Sequence, residues 1–318
     1  MSFSKKSLHL DAAVEVEKIT RKLKQDVVGQ LKKRGAVVGI SGGIDSSLVL
    51  ALCAKTFGPQ KVLGVLMPET DSNPDSLRLA TDLAKQYGVE SIVETMSDAL
   101  SGFACYRRRD EAIQRVFPEY NASCKVKIIL PSNILEKDTI NFFYLVMIKP
   151  DGTEKQERLP LKEYLQIVAA SNFKQRSRMS MLYYHAEARN YAVIGTGNKN
   201  EHMQGFFVKY GDGGADAKPI AHLFKTQVFQ LAEYLDVPVE IRDRIPTTDT
   251  YSAEQTQEEF FFRLPFKTLD LIWAGYEQGA TPEEIGVAAD LNADQVQNVI
   301  YDIQRKIKST EYLRMPPL

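Results

Sequence analysis

The feature that most constrains the fold is a short stretch of glycine and serine at residues 41–47, S-G-G-I-D-S-S. An apolar run over residues 36–40 precedes it, and a helical pattern over residues 48–56 follows it. Glycines let a backbone approach an anion closely, and the N-terminus of the following helix offers free N–H groups. The stretch therefore predicts a strand, a phosphate-binding loop and a helix in that order.

An acidic residue, Asp45, lies inside this loop, and the lysine of the Walker motif G-x-x-x-x-G-K-[ST] is missing. A carboxylate that faces a polyphosphate is repelled unless a cation lies between them, and carboxylates are common ligands of Mg²⁺. We therefore predict that Asp45 binds Mg²⁺. The alternative is a plain strand-to-helix turn in which Asp45 caps the helix.

Strand-like and helix-like segments alternate around the loop. Apolar runs at 36–41, 61–66 and 91–95 are separated by helical patterns at 46–56 and 75–87. This alternation predicts an α/β fold with a doubly wound parallel sheet flanked by helices, which binds ligands at the carboxyl ends of its strands. Further patterns predict helices at 8–31, about 98–115, about 173–190 and 223–235, and a strand at 191–195.

Residues 118–170 interrupt the alternation. A strand-like run at 140–148, a turn at 150–152 and a return strand at 153–159 predict a β-hairpin insertion. Such an insertion is either a surface excursion or, as often in α/β enzymes, a lid or an interface. Residues 255–318 form a helical C-terminal region, and we expect residues 1–318 to make a single domain.

Composition excludes several classes of protein. The chain has 318 residues and a formal net charge of −1, which gives no general electrostatic reason to bind nucleic acid or an anionic membrane. Residues 281–307 could pass for a helix-turn-helix, but they are not basic enough to favour DNA binding. There is no apolar run of membrane-spanning length and no apolar leader. Three widely spaced cysteines suggest neither a disulfide framework nor a zinc site, so we expect a cytoplasmic protein.

The motif S-G-G-x-D-S resembles the signature of the ATP-pyrophosphatase ligases, which split ATP into AMP and pyrophosphate. Later motifs look like those of NAD synthetase, and this resemblance covers about residues 10–117 and 171–250. The motifs are N-F-K-Q-R-S-R-M at 172–179, G-T-G-N-K-N-E at 195–201, G-F-F-V-K-Y-G-D-G-G-A-D at 205–216, L-F-K-T-Q-V at 223–228 and P-T-T-D at 246–249.

The resemblance implies an amide ligase that converts deamido-NAD to NAD⁺ with ATP and ammonia through an acyl-adenylate. It also implies a homodimer with the dinucleotide site at the subunit interface. The implied catalytic residues are Asp45 and Glu201, which hold Mg²⁺, and Lys225, which replaces the Walker lysine. The implied ATP-binding residues are Gly39, Ile40, Ser41, Gly42, Gly43, Ile44, Asp45, Ser46, Ser47, Thr196, Lys225 and Thr247. The implied residues for deamido-NAD are Arg176, Lys209, Asp212 and Asp216.

The C-terminal tail departs from the family pattern. The family's S-x-H-K-R-x-x-P-P reads S-T-E-Y-L-R-M-P-P at 309–317, so Glu311 and Tyr312 replace a His-Lys pair. If the dinucleotide is the substrate, another cation must take the place of that pair, and Arg314 is the nearest candidate. The change favours a first alternative, a sister ligase that activates a different carboxylate.

A second alternative is a non-catalytic nucleotide sensor. The presence of Asp45, Glu201, Lys225 and Thr247 argues against it, because a sensor need not keep both metal ligands. We expect no glutaminase module upstream of the loop, so either free ammonia is the nitrogen donor or a separate protein supplies it.

Overall fold

The computed structural model describes residues 3–130, 134–135, 142–247 and 251–317. In this part of the chain the central sheet has the parallel strands β1 (Ala36–Gly39), β2 (Val62–Leu66), β3 (Glu90–Val93) and β7 (Ala192–Ile194). Their order is β3-β2-β1-β7. The chain moves outward from β1 to β3 and then returns to the other side of β1. The carboxyl end of β1 is therefore the switch point at which such sheets bind ligands.

Helices cover both faces of the central sheet, which confirms the doubly wound α/β fold. One face is covered by α6 (Leu161–Arg189), whose Met179 and Leu182 pack with Val37 and Val193 of the sheet. The strands are buried on both sides, as their continuous apolar sequences require. The helices that cover the other face are α1 (Ala12–Lys24), α2 (Ile44–Phe57), α3 (Pro74–Gln86) and α8 (Lys225–Tyr234).

Three helices differ from the predicted boundaries. The helix predicted at 98–115 is two helices, α4 (Ser97–Gly102) and α5 (Cys105–Val116), because Ala104 between them adopts a left-handed φ of 57°. The helix predicted at about 173–190 begins twelve residues earlier, since α6 starts directly after the extended Pro160. The pattern at 8–31 resolves into α1, capped by Asp11, and a π-helical turn at Gln25–Gln30.

The insertion is a three-stranded antiparallel sheet with the order β4-β5-β6. The predicted hairpin is confirmed as β5 (Tyr144–Ile148) and β6 (Glu154–Arg158), while residues 140 and 141 of the predicted strand lie outside the described residues. The sequence analysis missed β4 (Lys125–Ile129), a short strand whose buried residues are Val126 and Ile128. Apolar side chains of β4 and β5 share a core with α5, whereas β6 is exposed.

The C-terminal region is helical as predicted, and it has its own apolar core around Phe262, Trp273 and Val299. Thr281 and Asn292 cap the two helices of the predicted helix-turn-helix segment. Within the described residues, no helix is both long enough and apolar enough to cross a membrane. The remaining helices are α7 (Lys199–Gln204), α9 (Val239–Arg242), α10 (Phe266–Glu277), α11 (Pro282–Ala289), α12 (Ala293–Ser309) and α13 (Glu311–Arg314).

Candidate active site

A cavity of about 790 Å³ opens at the carboxyl ends of the central strands, a volume typical of small-molecule sites. Its lining extends from the loop at 41–47 to the C-terminal tail. Of the predicted ATP-site residues, Gly42 and Ser47 do not line the cavity. Those that do are Gly39, Ile40, Ser41, Gly43, Ile44, Asp45, Ser46, Thr196, Lys225 and Thr247. Thr248 and Asp249 of the P-T-T-D motif lie outside the described residues.

The loop holds the shape that an anion site requires. Gly42 has a φ of 74°, and a Cβ at this position would lie 2.7 Å from the backbone oxygen of Ser76. Helix α2 begins with Gly43 as its N-cap and has no side-chain cap, so its first N–H groups remain available to a ligand. The Ser47 hydroxyl donates to the Gly43 carbonyl at 2.8 Å, and this hydrogen bond stabilises the turn between the loop and α2.

Asp45 faces Lys225 and does not cap α2. Its carboxylate accepts hydrogen bonds from the Lys225 ammonium and, at 2.9 Å, from the Asn198 side-chain amide. The Lys225 side chain is fully buried, and the Asp45 side chain is 16% exposed. The Lys225 ammonium, at the start of α8, thus lies beside the loop, as expected of a residue that replaces the Walker lysine.

A buried polar network fixes the start of α8 and therefore the position of Lys225. The Lys225 backbone N–H donates to the Asn200 side chain at 3.1 Å, and the Thr226 N–H donates to Asp270 at 2.8 Å. Asn200 in turn donates to Asp270 at 2.6 Å. Burial raises the pKa of Asp270 to about 6. Sequence patterns gave no sign of this network, because its members lie on three separate elements.

Glu201 lies beside Asp45 at the start of α7. Its carboxylate accepts from the Asn198 backbone N–H at 3.1 Å and from the Gln257 side-chain amide at 3.2 Å. Burial, followed by the negative charge of Asp45, raises the pKa of Glu201 to about 8. The sequence analysis missed Asn198, although the spacing N-x-x-E of 198–201 is a capping-box signal that could have located it.

The Asp45 and Glu201 carboxylates fit a magnesium ion. Both carboxyl groups can carry a negative charge in this enclosed place only beside a cation, and in this structure the Lys225 ammonium already contacts Asp45. The part of the chain that the structure describes has no cluster of three or more acidic, histidine or cysteine ligands. Mg²⁺ in nucleotide enzymes characteristically takes only one or two carboxylates and completes its coordination with water and phosphate oxygens.

Three of the four predicted dinucleotide residues line the same cavity: Arg176, Lys209 and Asp212. The Arg176 guanidinium donates to the Lys209 carbonyl at 3.1 Å, and the Asp212 carboxylate accepts from the Val208 N–H at 2.8 Å. The Lys209 ammonium donates to two carbonyls of the C-terminal tail, at 3.2 and 3.3 Å.

The fourth dinucleotide residue, Asp216, is not among the residues that line the cavity. Its carboxylate accepts from the Val193 N–H at 2.8 Å and from the Tyr183 hydroxyl at 3.0 Å. These contacts tie the glycine-rich loop at residues 205–216 to β7 and α6.

Two further arginines line the cavity. Arg178 donates to the Met67 carbonyl at 3.2 Å, and Arg244 donates to the Ser76 hydroxyl at 3.1 Å. The sequence analysis noted Arg178 without giving it a role and did not single out Arg244. Both add positive charge to a cavity that would receive polyanions.

Arg314 does not supply the cation that the tail lacks. Its guanidinium donates to the carbonyls of His202, Met203 and Ile307 at 3.2, 2.8 and 2.7 Å. These are carbonyls at the ends of α7 and α12, which a cation caps favourably. The expectation that Arg314 replaces the His-Lys pair is wrong, because helix α13 turns its side chain away from the cavity. Tyr312, by contrast, lines the cavity.

Comparisons with known proteins identify the family of this chain. The family model for NAD synthase matches residues 15–137 and 148–317. The chain belongs to the NAD synthase family. This match confirms the resemblance, extends it through the C-terminal region, and leaves only residues 138–147 of the insertion unmatched. The protein is therefore an enzyme, a ligase of NAD synthesis.

Relatives support the same assignment over the whole chain. The chain is 47% identical to the NH3-dependent NAD⁺ synthetase of Rhizobium rhizogenes, covering 100% of this chain and 95% of the relative. It is 49% identical to that of Mesorhizobium japonicum, covering 98% and 97%. The fold is similar to that of NMN synthetase from Francisella tularensis, with a TM-score of 0.64, 22% identity and coverage of 98% of each chain. At that identity the likeness shows the fold alone.

Proposed function

We propose that this enzyme converts deamido-NAD to NAD⁺ with ATP and ammonia. The observation that carries the proposal is the meeting of Asp45, Glu201 and Lys225 beside a phosphate-binding loop in one cavity. These residues come from three separated motifs, and a chain that only bound a nucleotide would not need both carboxylates. The name that the relatives bear, at 47–49% identity over nearly the whole chain, supports the same activity.

The proposed reaction activates a carboxylate, which is a poor electrophile because its leaving group would be oxide. An oxygen of the nicotinate carboxylate attacks the α-phosphorus of ATP, and pyrophosphate leaves. Ammonia then attacks the acyl carbon of the adenylate, and AMP leaves with the former carboxylate oxygen. The overall products are NAD⁺, AMP and pyrophosphate.

The protein's part in this reaction is to position the reactants and to balance their charge. The loop at 41–47 and the N-terminus of α2 would bind phosphate oxygens, and Lys225 and Thr247 would contact them from the opposite side. Mg²⁺, held by Asp45 and Glu201, would neutralise phosphate charge when bound. Lys225 contacts Asp45, so its ammonium is held at the place where phosphate charge would arrive.

We propose that deamido-NAD binds at the end of the cavity toward the tail. Arg176, Lys209 and Asp212 line this end, and their charges suit the diphosphate and hydroxyl groups of a dinucleotide. Asp216 belongs to the same loop, and we propose that it contacts the substrate at the rim.

We also propose a cytoplasmic homodimer. Tyr184 of helix α6 and Tyr210 are both mostly exposed, at 62% and 63%, and they line the same surface pocket. Exposed apolar surface of this kind is typical of subunit contacts. The three cysteines are free and buried, as a reducing compartment would allow. Light scattering of the purified protein with the Tyr184→Asp variant as comparison tests the dimer.

A substrate panel tests the proposed function. Purified protein would receive ATP, Mg²⁺ and ammonium with deamido-NAD, nicotinate mononucleotide or a series of simple carboxylic acids, and pyrophosphate release would be measured. We expect deamido-NAD to give the highest kcat/KM. The changed tail, with Glu311 and Tyr312, favours one competitor, a sister ligase, and a preference for another carboxylate would establish it in place of NAD⁺ synthesis.

A further inference from the structure

The first strand of the insertion, β4, runs along a segment of the C-terminal half, residues 251–257, which we call the crossing segment. The Ala253 N–H donates to the Val126 carbonyl at 3.1 Å, and the Val126 N–H donates to the Ser252 hydroxyl at 2.9 Å. The Gln255 side-chain amide donates to the Ile128 carbonyl. The crossing segment therefore occupies the edge of β4 that β5 does not use.

The contact between β4 and the crossing segment is also a packed one. Tyr251, Ala253 and Gln255 are each at most 7% exposed. The Tyr251 ring belongs to the same apolar core as Val126 and other side chains of the inserted sheet. An ion pair of 2.9 Å between Lys127 and Glu259 joins the two elements just beyond the crossing segment. The insertion is thus attached to this segment at several successive residues.

The other end of the crossing segment reaches the candidate active site. The Gln257 N–H donates to the Pro246 carbonyl at 3.0 Å, and Thr256 pairs with Thr247 in a single β-bridge. The Gln257 side chain, 9% exposed, donates to the Glu201 carboxylate at 3.2 Å. One short segment therefore contacts a predicted phosphate-binding residue and a predicted magnesium ligand.

We propose that the inserted sheet is a positioning element for the ATP site, and that Gln257 is a positioning residue for Glu201. Strand β4 fixes the course of the crossing segment, and the crossing segment orients Thr247 and the Glu201 carboxylate. Hydrogen bonds from neighbouring groups commonly orient the carboxylates that bind metals, and their loss weakens the site without removing a ligand. The insertion then has a role in nucleotide binding rather than being a surface excursion. This inference rests on the proposed function.

Variants on the two sides of the contact test the proposal. The double variant Lys127→Ala/Ser252→Ala removes the ion pair and the hydroxyl acceptor, whereas Ser252→Thr keeps the hydroxyl. Gln257→Met keeps the length of the side chain and removes its donor. Gln156→Ala changes an exposed side chain on β6, at the opposite edge of the inserted sheet, and is the control. For each protein, kcat, KM for ATP, KM for the dinucleotide, half-saturating Mg²⁺ and Tm would be measured.

For Gln257→Met we expect half-saturating Mg²⁺ to rise about tenfold, within the range that loss of such a supporting contact produces. For the double variant we expect KM for ATP to rise about fivefold or more, the effect of about one hydrogen bond. KM for the dinucleotide should stay within about twofold in both, and Ser252→Thr and Gln156→Ala should resemble the wild type.

Two results would overturn the proposal. In the first, the variants lose thermal stability while KM for ATP and half-saturating Mg²⁺ stay at wild-type values, so that the contact serves stability alone. In the second, Gln156→Ala has the same effect as the double variant. Turnover of deamido-NAD by the wild type and by Gln156→Ala tests the proposed function separately, so the two failures can be told apart.

Discussion

The Asp45→Asn substitution should have two separable effects, because Asp45 has two partners. In the structure its carboxylate is the counter-ion of a fully buried lysine, Lys225. Removing one partner of a buried ion pair costs roughly 3–5 kcal/mol, and asparagine keeps an oxygen acceptor, so we expect a loss of about 3 kcal/mol. With an unfolding entropy of about 2.1 cal/mol/K per residue, this corresponds to a Tm lower by roughly 4–5 °C in a chain of 318 residues. The fold should nevertheless form.

The second effect of Asp45→Asn is on catalysis. Losing one of two carboxylates that hold Mg²⁺ should cost about 4 kcal/mol or more in the transition state, which is roughly a thousandfold in kcat. Differential scanning calorimetry and steady-state kinetics at saturating Mg²⁺ measure the two effects. Asp243→Asn, a change of the same kind at an exposed position, is the matched control and should alter neither quantity.

Each effect of Asp45→Asn can be refuted independently. A near-normal kcat at saturating Mg²⁺ would show that Asp45 is not a metal ligand in the working enzyme. An unchanged Tm with a lost kcat would show that the contact with Lys225 does not stabilise the unliganded protein. Binding of ATP should restore part of the lost stability, since phosphate charge would face Lys225 in place of the carboxylate.

Three further predictions follow from the site and the tail. Because the raised pKa of Glu201 keeps its carboxyl protonated below about 8, Mg²⁺ must displace a proton there, and its affinity for the unliganded protein should rise with pH up to about 8. Calorimetric titration of Mg²⁺ at several pH values measures this rise, and Glu201→Gln should remove it. Ammonium alone should support turnover and glutamine alone should not, and comparable rates with glutamine in ammonia-free protein would contradict the ammonia dependence. Arg314→Ala should lower the free energy of unfolding by about 1–3 kcal/mol, because it uncaps the ends of α7 and α12. Chemical denaturation measures this loss. A raised KM for the dinucleotide with unchanged stability would instead show that Arg314 takes the place of the His-Lys pair.

Local sequence patterns predicted the parts of the fold that depend on near neighbours. The apolar run, the glycines and the helix start around residues 41–47 lie together in the chain, so the phosphate loop could be identified directly. The break between α4 and α5 could not, since it depends on Ala104 adopting a left-handed conformation that alanine rarely shows. Strand β4 was missed because two buried residues alternating with two lysines make a weak signal.

The candidate site was predictable only as far as motifs extend. The three predicted catalytic residues lie in motifs and meet in the cavity, and their roles stay predictions. Asn200 lies in the motif at 195–201 without a role of its own there, and Asp270 and Gln257 lie in none of the quoted motifs. The contacts of all three exist only once α7, α10 and the crossing segment are packed together. The error over Arg314 has the same origin, since its distance from Tyr312 along the chain says nothing about the direction in which α13 turns its side chain.

Transfer of an oxygen isotope tests the central claim most directly, because it follows the carboxylate oxygen through the reaction. Deamido-NAD labelled with ¹⁸O in its nicotinate carboxylate would be incubated with the purified enzyme, ATP, Mg²⁺ and ammonium, and the products would be analysed by mass spectrometry. If the carboxylate forms an acyl-adenylate that ammonia then cleaves, AMP carries one ¹⁸O, pyrophosphate carries none, and NAD⁺ appears in equal amount to AMP. AMP without label, or ATP cleavage without NAD⁺, would contradict the account.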